Sequence, residues 1–154
     1  MPANVIDGVA IANGIRQSVQ NRVAQLAAQS RRVHLTAIIV GSTPAAEVYA
    51  HRQGEACRAV GIDYTLLTFP DDISQRQLRA EIRKLNQDPT VTGIMLHAPV
   101  PPHIDLARMQ FEIDVVKDVE GVNPANIGYV VYGHTLIAPC TAAAVLELIH
   151  STGI

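Results

Sequence analysis

The sequence predicts an α/β domain, with a mainly parallel sheet and helices on both of its faces, in three α/β/α layers. Short β-branched runs alternate with longer segments whose apolar residues recur every three or four positions. This alternation is typical of βαβ units, which build a parallel sheet covered by helices. The 154 residues suffice for one such domain with a continuous apolar core.

Three elements are expected in the first sixty residues. Apolar residues recur at helical spacing over 9–29, and Asp7 is placed to cap the start of that helix. Residues 33–40 form a nearly continuous β-branched run, typical of a strand buried on both faces. Ser42 or Thr43, followed by a proline, then marks the start of a second helix.

The later elements continue the same alternation until a cluster of prolines interrupts it near residue 100. Ser74 is a plausible N-cap for the third helix. Residues 114–130 are expected to be mostly loop. The predicted elements are a strand over 64–69, a helix over 74–86, a strand over 92–97, a short helix over 106–113 and a helix over 141–150.

Composition narrows the class of protein. The net charge is −2 and the basic residues are scattered, which argues against a nucleic-acid partner. No apolar run approaches the roughly 20 residues that span a bilayer, and the N-terminus lacks a secretory signal pattern. We therefore expect a cytoplasmic domain without a membrane partner. Cys57 and Cys140 are expected to be buried free thiols, and the histidine spacing predicts no metal site.

Polar side chains stand where two of the predicted strands end. Tyr49, Arg52 and Gln53 share one face of the helix after the first strand, and His97 follows the third strand. Ligands bind at such strand ends in open α/β sheets. Of these side chains, only the imidazole is an ordinary general base near neutral pH. The alternative is that Tyr49 is a ring at the edge of the core and His97 a hydrogen-bonded structural histidine.

Two further segments have ambiguous patterns. Asp118 and Glu120 alternate along an extended segment and should face opposite ways, so one can bind a ligand while the other is structural. A solvated acidic turn is the alternative. The loop over 41–44 resembles a phosphate cradle but lacks both glycine-rich fingerprints, and we interpret it as a turn. No nucleotide-cofactor site is therefore expected in this chain.

Together these segments resemble the methylenetetrahydrofolate dehydrogenase/methenyltetrahydrofolate cyclohydrolase family. The similarity runs in order along the whole chain and is densest over 117–121. The segments that carry it are Ile6-Asp7-Gly8, Val40-Gly41-Ser42, Pro44-Ala45, Tyr49, Ala56-Cys57, Val60-Gly61, Gly93-Ile94, Pro99-Val100-Pro101, Lys117-Asp118-Val119-Glu120-Gly121, Asn123-Pro124, Asn126-Ile127-Gly128 and Pro139-Cys140-Thr141.

The resemblance implies a two-domain, usually homodimeric enzyme of one-carbon metabolism. Such an enzyme oxidises 5,10-methylenetetrahydrofolate with NADP or NAD and hydrolyses the methenyl product to 10-formyltetrahydrofolate. Residues 1–140 would be the folate-binding catalytic domain, and 141–154 a linker helix toward a Rossmann-type domain that this chain lacks. The nicotinamide cofactor would bind that second domain, so this chain alone should not transfer hydride.

The resemblance also implies roles for individual residues, and here the sequence departs from the family pattern. Tyr49 matches the family tyrosine beside the pterin, but Gln53 stands at the catalytic lysine, His97 at a glutamine and Glu120 at the pterin-anchoring aspartate. The implied catalytic residues are Tyr49, Gln53 and His97. The implied substrate-binding residues are Tyr49, Arg52, Pro99, Val100, Pro101 and Glu120.

Two hypotheses follow from these departures. In the first, the site has been rebuilt and His97 replaces the lysine in proton transfer, because an amide such as Gln53 is neither acid nor base. In the second, the chain is a silenced folate-binding, regulatory or scaffold domain. A saturable folate site would separate the enzymatic hypothesis from a scaffold that binds no folate.

Overall fold

A computed structural model of the chain describes residues 5–41 and 43–153. Within them, six helices and three strands follow one another in chain order. The helices are α1 Gly8–Ala28, α2 Pro44–Ala59, α3 Gln75–Gln87, α4 Leu106–Glu112, α5 Pro124–Val131 and α6 Cys140–His150. The strands are β1 His34–Val40, β2 Asp63–Phe69 and β3 Gly93–Leu96.

The three strands form one parallel sheet in the order β2-β1-β3. β1 is central and pairs with β2 along its whole length and with β3 over 35–38. Its last five residues are all buried, as the β-branched run predicted. The sheet and its helices confirm the predicted α/β class with a parallel sheet.

The side chains of β1 alternate between two helical layers. Ile38 and Val40 face the main core, which includes Leu78 and Ile82 of α3 and Met109 of α4. The opposite face of the sheet packs against α2. Helices therefore cover both faces, which gives the three predicted layers.

Gly54 allows α2 to lie close to β2. A Cβ atom at this position would stand 2.9 Å from the Tyr64 ring, closer than packed carbons approach. Gly54 itself is buried, together with Ala50 and Cys57 on the same side of the helix. The small residues thus fix how deeply α2 sits over the sheet, and with it the position of the polar residues that α2 carries.

Most predicted elements are confirmed to within two residues, including the caps. Asp7 accepts hydrogen bonds from two N–H groups at the start of α1, and Ser74 forms a capping box with Gln77. Thr43 caps α2. Ser42, the other N-cap candidate for α2, lies outside the described residues.

The sequence analysis missed one helix and was wrong about one cysteine. Residues 114–123 contain no helix or strand, as expected for a segment that is mostly loop, but α5 begins at Pro124 with the Asn123 side chain as its cap. The Asn-Pro pair is an ordinary start signal, but the glycine and β-branched residues that follow it weaken the helical pattern. The second error is Cys140, which is exposed rather than buried; Cys57 is buried, and both thiols are free.

Two features are absent from the described part of the chain. Over residues 5–41 and 43–153, no helix is long and apolar enough to cross a bilayer. Within the same residues, no group of three or more His, Cys, Asp and Glu side chains is arranged to hold a metal ion.

Candidate functional site

The carboxyl end of β3 and the first half of α2 bring two aromatic rings together. His97 follows β3 directly, and its N–H donates to the Ile38 carbonyl at 2.9 Å, which extends the strand pairing by one residue. Tyr49 lies on α2 above the sheet. The two ring centroids are 5.5 Å apart and the ring planes meet at 82°, an edge-to-face contact.

The His97 side chain is buried, and one of its ring nitrogens makes no hydrogen bond. Only 7% of the residue is exposed, and its Nε2 atom has no hydrogen-bond partner. Burial lowers the pKa of His97 below the usual value near 6.5. The side chain is therefore a neutral imidazole at neutral pH, and its buried Nε2 atom has an unused capacity for one hydrogen bond.

Gln53 is one helical turn beyond Tyr49, and its amide has two partners. The Nε2 group donates to the Met95 sulfur at 2.9 Å, and Oε1 accepts from the Tyr64 hydroxyl at 3.3 Å. Met95 lies on β3 and faces the same cleft as Tyr49. Gln53 thus stands at the edge of the cleft with its polar atoms engaged by the sheet.

Glu120 approaches the same cleft from the other side. Burial raises the pKa of its carboxyl group, and the negative charge of the neighbouring Asp118 raises that pKa further. The Glu120 backbone is fixed at both ends: its N–H donates to Asp118 at 3.2 Å, and its carbonyl accepts from the N–H of Cys140 at 3.2 Å.

Asp118 is the anchor of this second wall. It is 1% exposed and accepts hydrogen bonds from the backbone N–H groups of Glu120, Gly121 and Asn123. A fourth bond comes from the Asn126 amide at 2.9 Å. Such a saturated buried carboxylate holds the turn rigidly, so Asp118 is structural while Glu120 faces the cleft, as the alternation along the segment predicts.

Gly121 completes the turn because no other residue fits there. Its φ is +68°, a backbone conformation that L side chains rarely adopt. A Cβ atom would also stand 2.5 Å from the Ala138 backbone. Glu120, the residue before Gly121, is therefore held in a fixed position relative to the segment that leads into α6.

The two walls enclose an open cleft of about 370 Å³. A smaller compartment of about 170 Å³ adjoins the cleft. His97, Ala98 and Pro99 line both spaces. The cleft is lined by Thr43, Ala45, Ala46, Tyr49, Met95, His97, Ala98, Pro99 and Glu120. The smaller compartment adds Gly41, Asp71, Val100 and Pro101, with Ile39 and Val40 behind them.

The structure thus brings together some of the residues singled out in the sequence and leaves others aside. Tyr49, His97, Pro99 and Glu120 line one cleft, and Gln53 reaches it through Met95. Val100 and Pro101 line the smaller compartment instead. Arg52 is exposed and lines neither space, because it lies about a quarter-turn short of Gln53 around the helix.

Sequence reasoning missed the residues that position the site. Met95 and Tyr64 were treated only as strand residues. The register of the sheet, which the sequence does not give, places both on one face. Asn126 was not singled out as a hydrogen-bond donor. The local signal for order here was the pair Asn123-Pro124, in which Asn123 caps α5 and the proline begins that helix.

The start of α2 offers few donors to a phosphate group. The N–H of Ala46 already donates to the Thr43 side chain, and Pro44 has no N–H. The cleft itself suits a small planar ligand, because it combines an exposed aromatic ring, a neutral imidazole and a carboxyl group.

Comparison with known proteins identifies the relatives of this chain. Residues 6–120 match the family described as tetrahydrofolate dehydrogenase/cyclohydrolase, catalytic domain. The chain is 37% identical over 154 residues to the bifunctional protein FolD of Bordetella avium, covering 100% of this chain and 54% of that protein. It spans about half the length of the curated relatives that it matches.

Solved structures agree with this match. The FolD dehydrogenase/cyclohydrolase of Campylobacter jejuni superposes with a TM-score of 0.94 at 31% identity, covering 98% of this chain and 54% of that one. The Trypanosoma brucei FolD enzyme, solved with NADP and an inhibitor, gives a TM-score of 0.93 at 33% identity, covering 100% and 54%. The chain belongs to the tetrahydrofolate dehydrogenase/cyclohydrolase family, and it corresponds to the N-terminal, catalytic half of that family's proteins.

Proposed function

We propose that this chain is the folate-binding domain of a one-carbon enzyme and that His97 serves as the general base of a rebuilt methenyltetrahydrofolate cyclohydrolase site. One observation carries the proposal: a buried neutral imidazole with an unpartnered Nε2 stands against Tyr49 in a cleft that Glu120 closes. A satisfied structural histidine would have its ring nitrogens paired.

The proposed reaction uses these groups in a simple order. The bicyclic ring of the folate stacks on Tyr49, and the Glu120 carboxyl group bonds its polar edge. His97 takes a proton from water while the water oxygen adds to the bridging carbon of the methenyl cation. The bond from that carbon to N5 then breaks, N5 takes the electron pair and the hydroxyl proton, and a formyl group remains on N10. His97 releases the first proton to solvent.

Gln53 takes no part as an acid or base in this mechanism. A carboxamide does not titrate near neutral pH, and its two polar ends are already bonded to Met95 and Tyr64. In this proposal Gln53 stands where family members carry the lysine, and it retains a positioning role for Tyr64 and Met95.

Hydride transfer belongs to the whole protein rather than to this chain. The relatives are about twice as long, and the Trypanosoma brucei relative was solved with NADP. We propose that the parent protein pairs this domain with a second, nicotinamide-binding domain over the cleft, in a homodimer. Residues 141–154 would lead toward that domain.

A silenced folate-binding domain is the second candidate, and the bonded state of the Gln53 amide favours it. The test measures hydrolysis of 5,10-methenyltetrahydrofolate between about pH 5 and 8. It compares the unsubstituted chain, called the parent chain below, with its Gln53→Lys and His97→Gln variants. A rebuilt site predicts parent activity that falls about 100-fold in His97→Gln. An inactive parent whose Gln53→Lys variant gains turnover would support silencing, and absence of saturable folate binding would reject both candidates.

A further inference from the structure

The side chains that line the cleft include no cation among the described residues. Of the nine lining residues, Glu120 is the acidic one, His97 is neutral at neutral pH, and the others are uncharged. Asp118 lies directly behind Glu120, and Asp71 lines the adjoining compartment. The cleft is therefore a site in which negative charge has no positive counterpart within the described part of the chain.

Three basic side chains that lie near the cleft residues in the sequence are outside the cleft lining. The Lys117 ammonium group donates to three backbone carbonyls at the end of α3, at 2.7 to 2.9 Å. The Arg58 guanidinium carbon lies 6.0 Å from the centre of the Tyr64 ring, outside the cleft lining. Arg52 is exposed and also lies outside that lining.

Two ionisable groups of the cleft have shifted pKa values, and neither shift is caused by a cation. The pKa of Glu120 is raised, first by burial and then by Asp118, and no cation of the described chain offsets either effect. The pKa of His97 is lowered by burial alone. A lysine in place of Gln53 would put a positive charge beside Met95, which lines the cleft, and beside Tyr64.

Tyr49 adds a second feature that favours a positively charged ligand. Its side chain is 57% exposed although it borders the cleft, and its ring meets His97 edge-to-face. An exposed phenol ring attracts cations that lie over its face. The exposed ring and the Glu120 carboxyl group act in the same direction, because both stabilise positive charge within the cleft.

From this arrangement, we propose that Gln53 is a specificity-determining residue, and that its neutral amide makes the cleft selective for folates carrying a positive charge on the fused ring system over neutral folates. The inference rests on the proposed folate site but not on its activity. 5,10-Methenyltetrahydrofolate carries such a charge, spread over N5, the bridging carbon and N10. 5-Formyltetrahydrofolate shares its pterin and glutamate parts but is neutral at that position, which makes the two ligands a matched pair.

The test measures the dissociation constants of both ligands for the 154-residue chain at about pH 6.5, by rapid ultrafiltration. The methenyl compound that remains intact is quantified by its absorbance in each sample. We expect the parent chain to prefer the cation by about tenfold. Gln53→Lys should abolish or reverse that preference by weakening methenyl binding, because like charges repel at short range.

Two further variants separate a charge inside the cleft from a charge added elsewhere on the chain. Gln25→Lys adds the same charge on the exposed surface of α1 and should leave the preference unchanged. Glu120→Gln removes the anion without altering α2, so it should reduce the preference even if Gln53→Lys fails to fold. Equal affinities in the parent chain, or an equal effect of Gln25→Lys and Gln53→Lys, would overturn the inference. Failure to bind either folate would instead reject the proposed function on which the inference rests.

Discussion

The two walls of the cleft are held in place by different forces. The wall that carries Glu120 rests on Asp118, whose carboxylate accepts four hydrogen bonds. The opposite wall, built from α2 and the end of β3, is positioned by close packing, with the Gly54 backbone against the Tyr64 ring. It also carries an unpartnered ring nitrogen, at His97.

This difference suggests which parts of the site can change. Replacing a residue in the hydrogen-bonded wall leaves buried donors without partners, so that wall tolerates few substitutions. In the packed wall, the Nε2 atom of His97 has no hydrogen bond to lose, whereas the Gln53 amide bonds Met95 and Tyr64. We therefore expect His97 to be the position in this wall that can change at the lowest cost to stability.

The largest expected effect is the loss of Asp118. Asp118→Ala leaves two buried backbone N–H groups, one partly buried N–H group and the buried Asn126 amide without this partner, and we expect it to lower the free energy of unfolding by about 3 kcal/mol or more. Urea unfolding measures the change. Asp105→Ala is the control, because that aspartate caps α4 through one hydrogen bond and its loss should cost about 1 kcal/mol. Equal losses would mean that Asp118 is no special anchor.

The next effect tests the packed wall. Gly54→Ala places a Cβ atom 2.9 Å from the Tyr64 ring, which is held by Gln53 and Arg58, and we expect a net loss of about 1 kcal/mol despite the better helix propensity of alanine. Gly14→Ala is the matched control in α1, where nothing lies within 4 Å of the added atom.

The two glycine variants should differ in sign. Gly14→Ala should stabilise the chain by up to about 1 kcal/mol, because alanine favours a helix more than glycine does. If Gly54→Ala stabilises the chain to the same extent, α2 is free to move away from β2, and the packed wall is not fixed in the way described.

The sequence predicted the scaffold better than the site. Periodicity and caps located nearly every helix and strand, because β1 and α3 each carry a strong, uninterrupted pattern. The same reasoning placed Tyr49 and His97 at strand ends, where the fold does bring them together. It missed α5 because the residues after the Asn123-Pro124 start signal show only a weak helical pattern.

The interactions that position the site could not be predicted in the same way. The bond from Gln53 to Met95 joins residues 42 positions apart, and the donors to Asp118 depend on the exact path of one turn. Such contacts follow from tertiary packing rather than from any periodic pattern. The exposure of Arg52, next to Gln53 on the same helix, likewise depends on the depth at which α2 packs.

A smaller effect of opposite sign is expected at His97. His97→Leu removes a buried polar atom that has no partner and fills the space with an apolar group, so we expect a gain of about 1 kcal/mol in unfolding free energy. Thermal or urea unfolding measures it. Under the proposed function the same variant should lose hydrolysis of 5,10-methenyltetrahydrofolate. A loss of stability would show that His97 is a structural residue after all.

The smallest expected effect is a pair of opposite pH slopes, one from each wall. Because the pKa of His97 is lowered in the folded chain, the unfolded chain takes up a proton first as the pH falls. The His97 contribution to stability is therefore complete above the usual pKa near 6.5 and is lost as the pH falls from there through the folded pKa. The raised pKa of Glu120 acts in the other direction: its contribution is complete below the usual pKa near 4.5 and is lost as the pH rises through the folded pKa.

Urea midpoints of the parent chain, His97→Gln and Glu120→Gln between about pH 4 and 8 separate the two slopes. Relative to His97→Gln, the parent should lose stability as the pH falls below about 6.5; relative to Glu120→Gln, it should gain stability as the pH falls over the acidic part of that range. The opposite signs matter more than the sizes, because each slope reports burial of one titrating group in its own wall. If both variants run parallel to the parent, neither group is as desolvated as the structure places it, and a cleft open to bulk water would replace the one described.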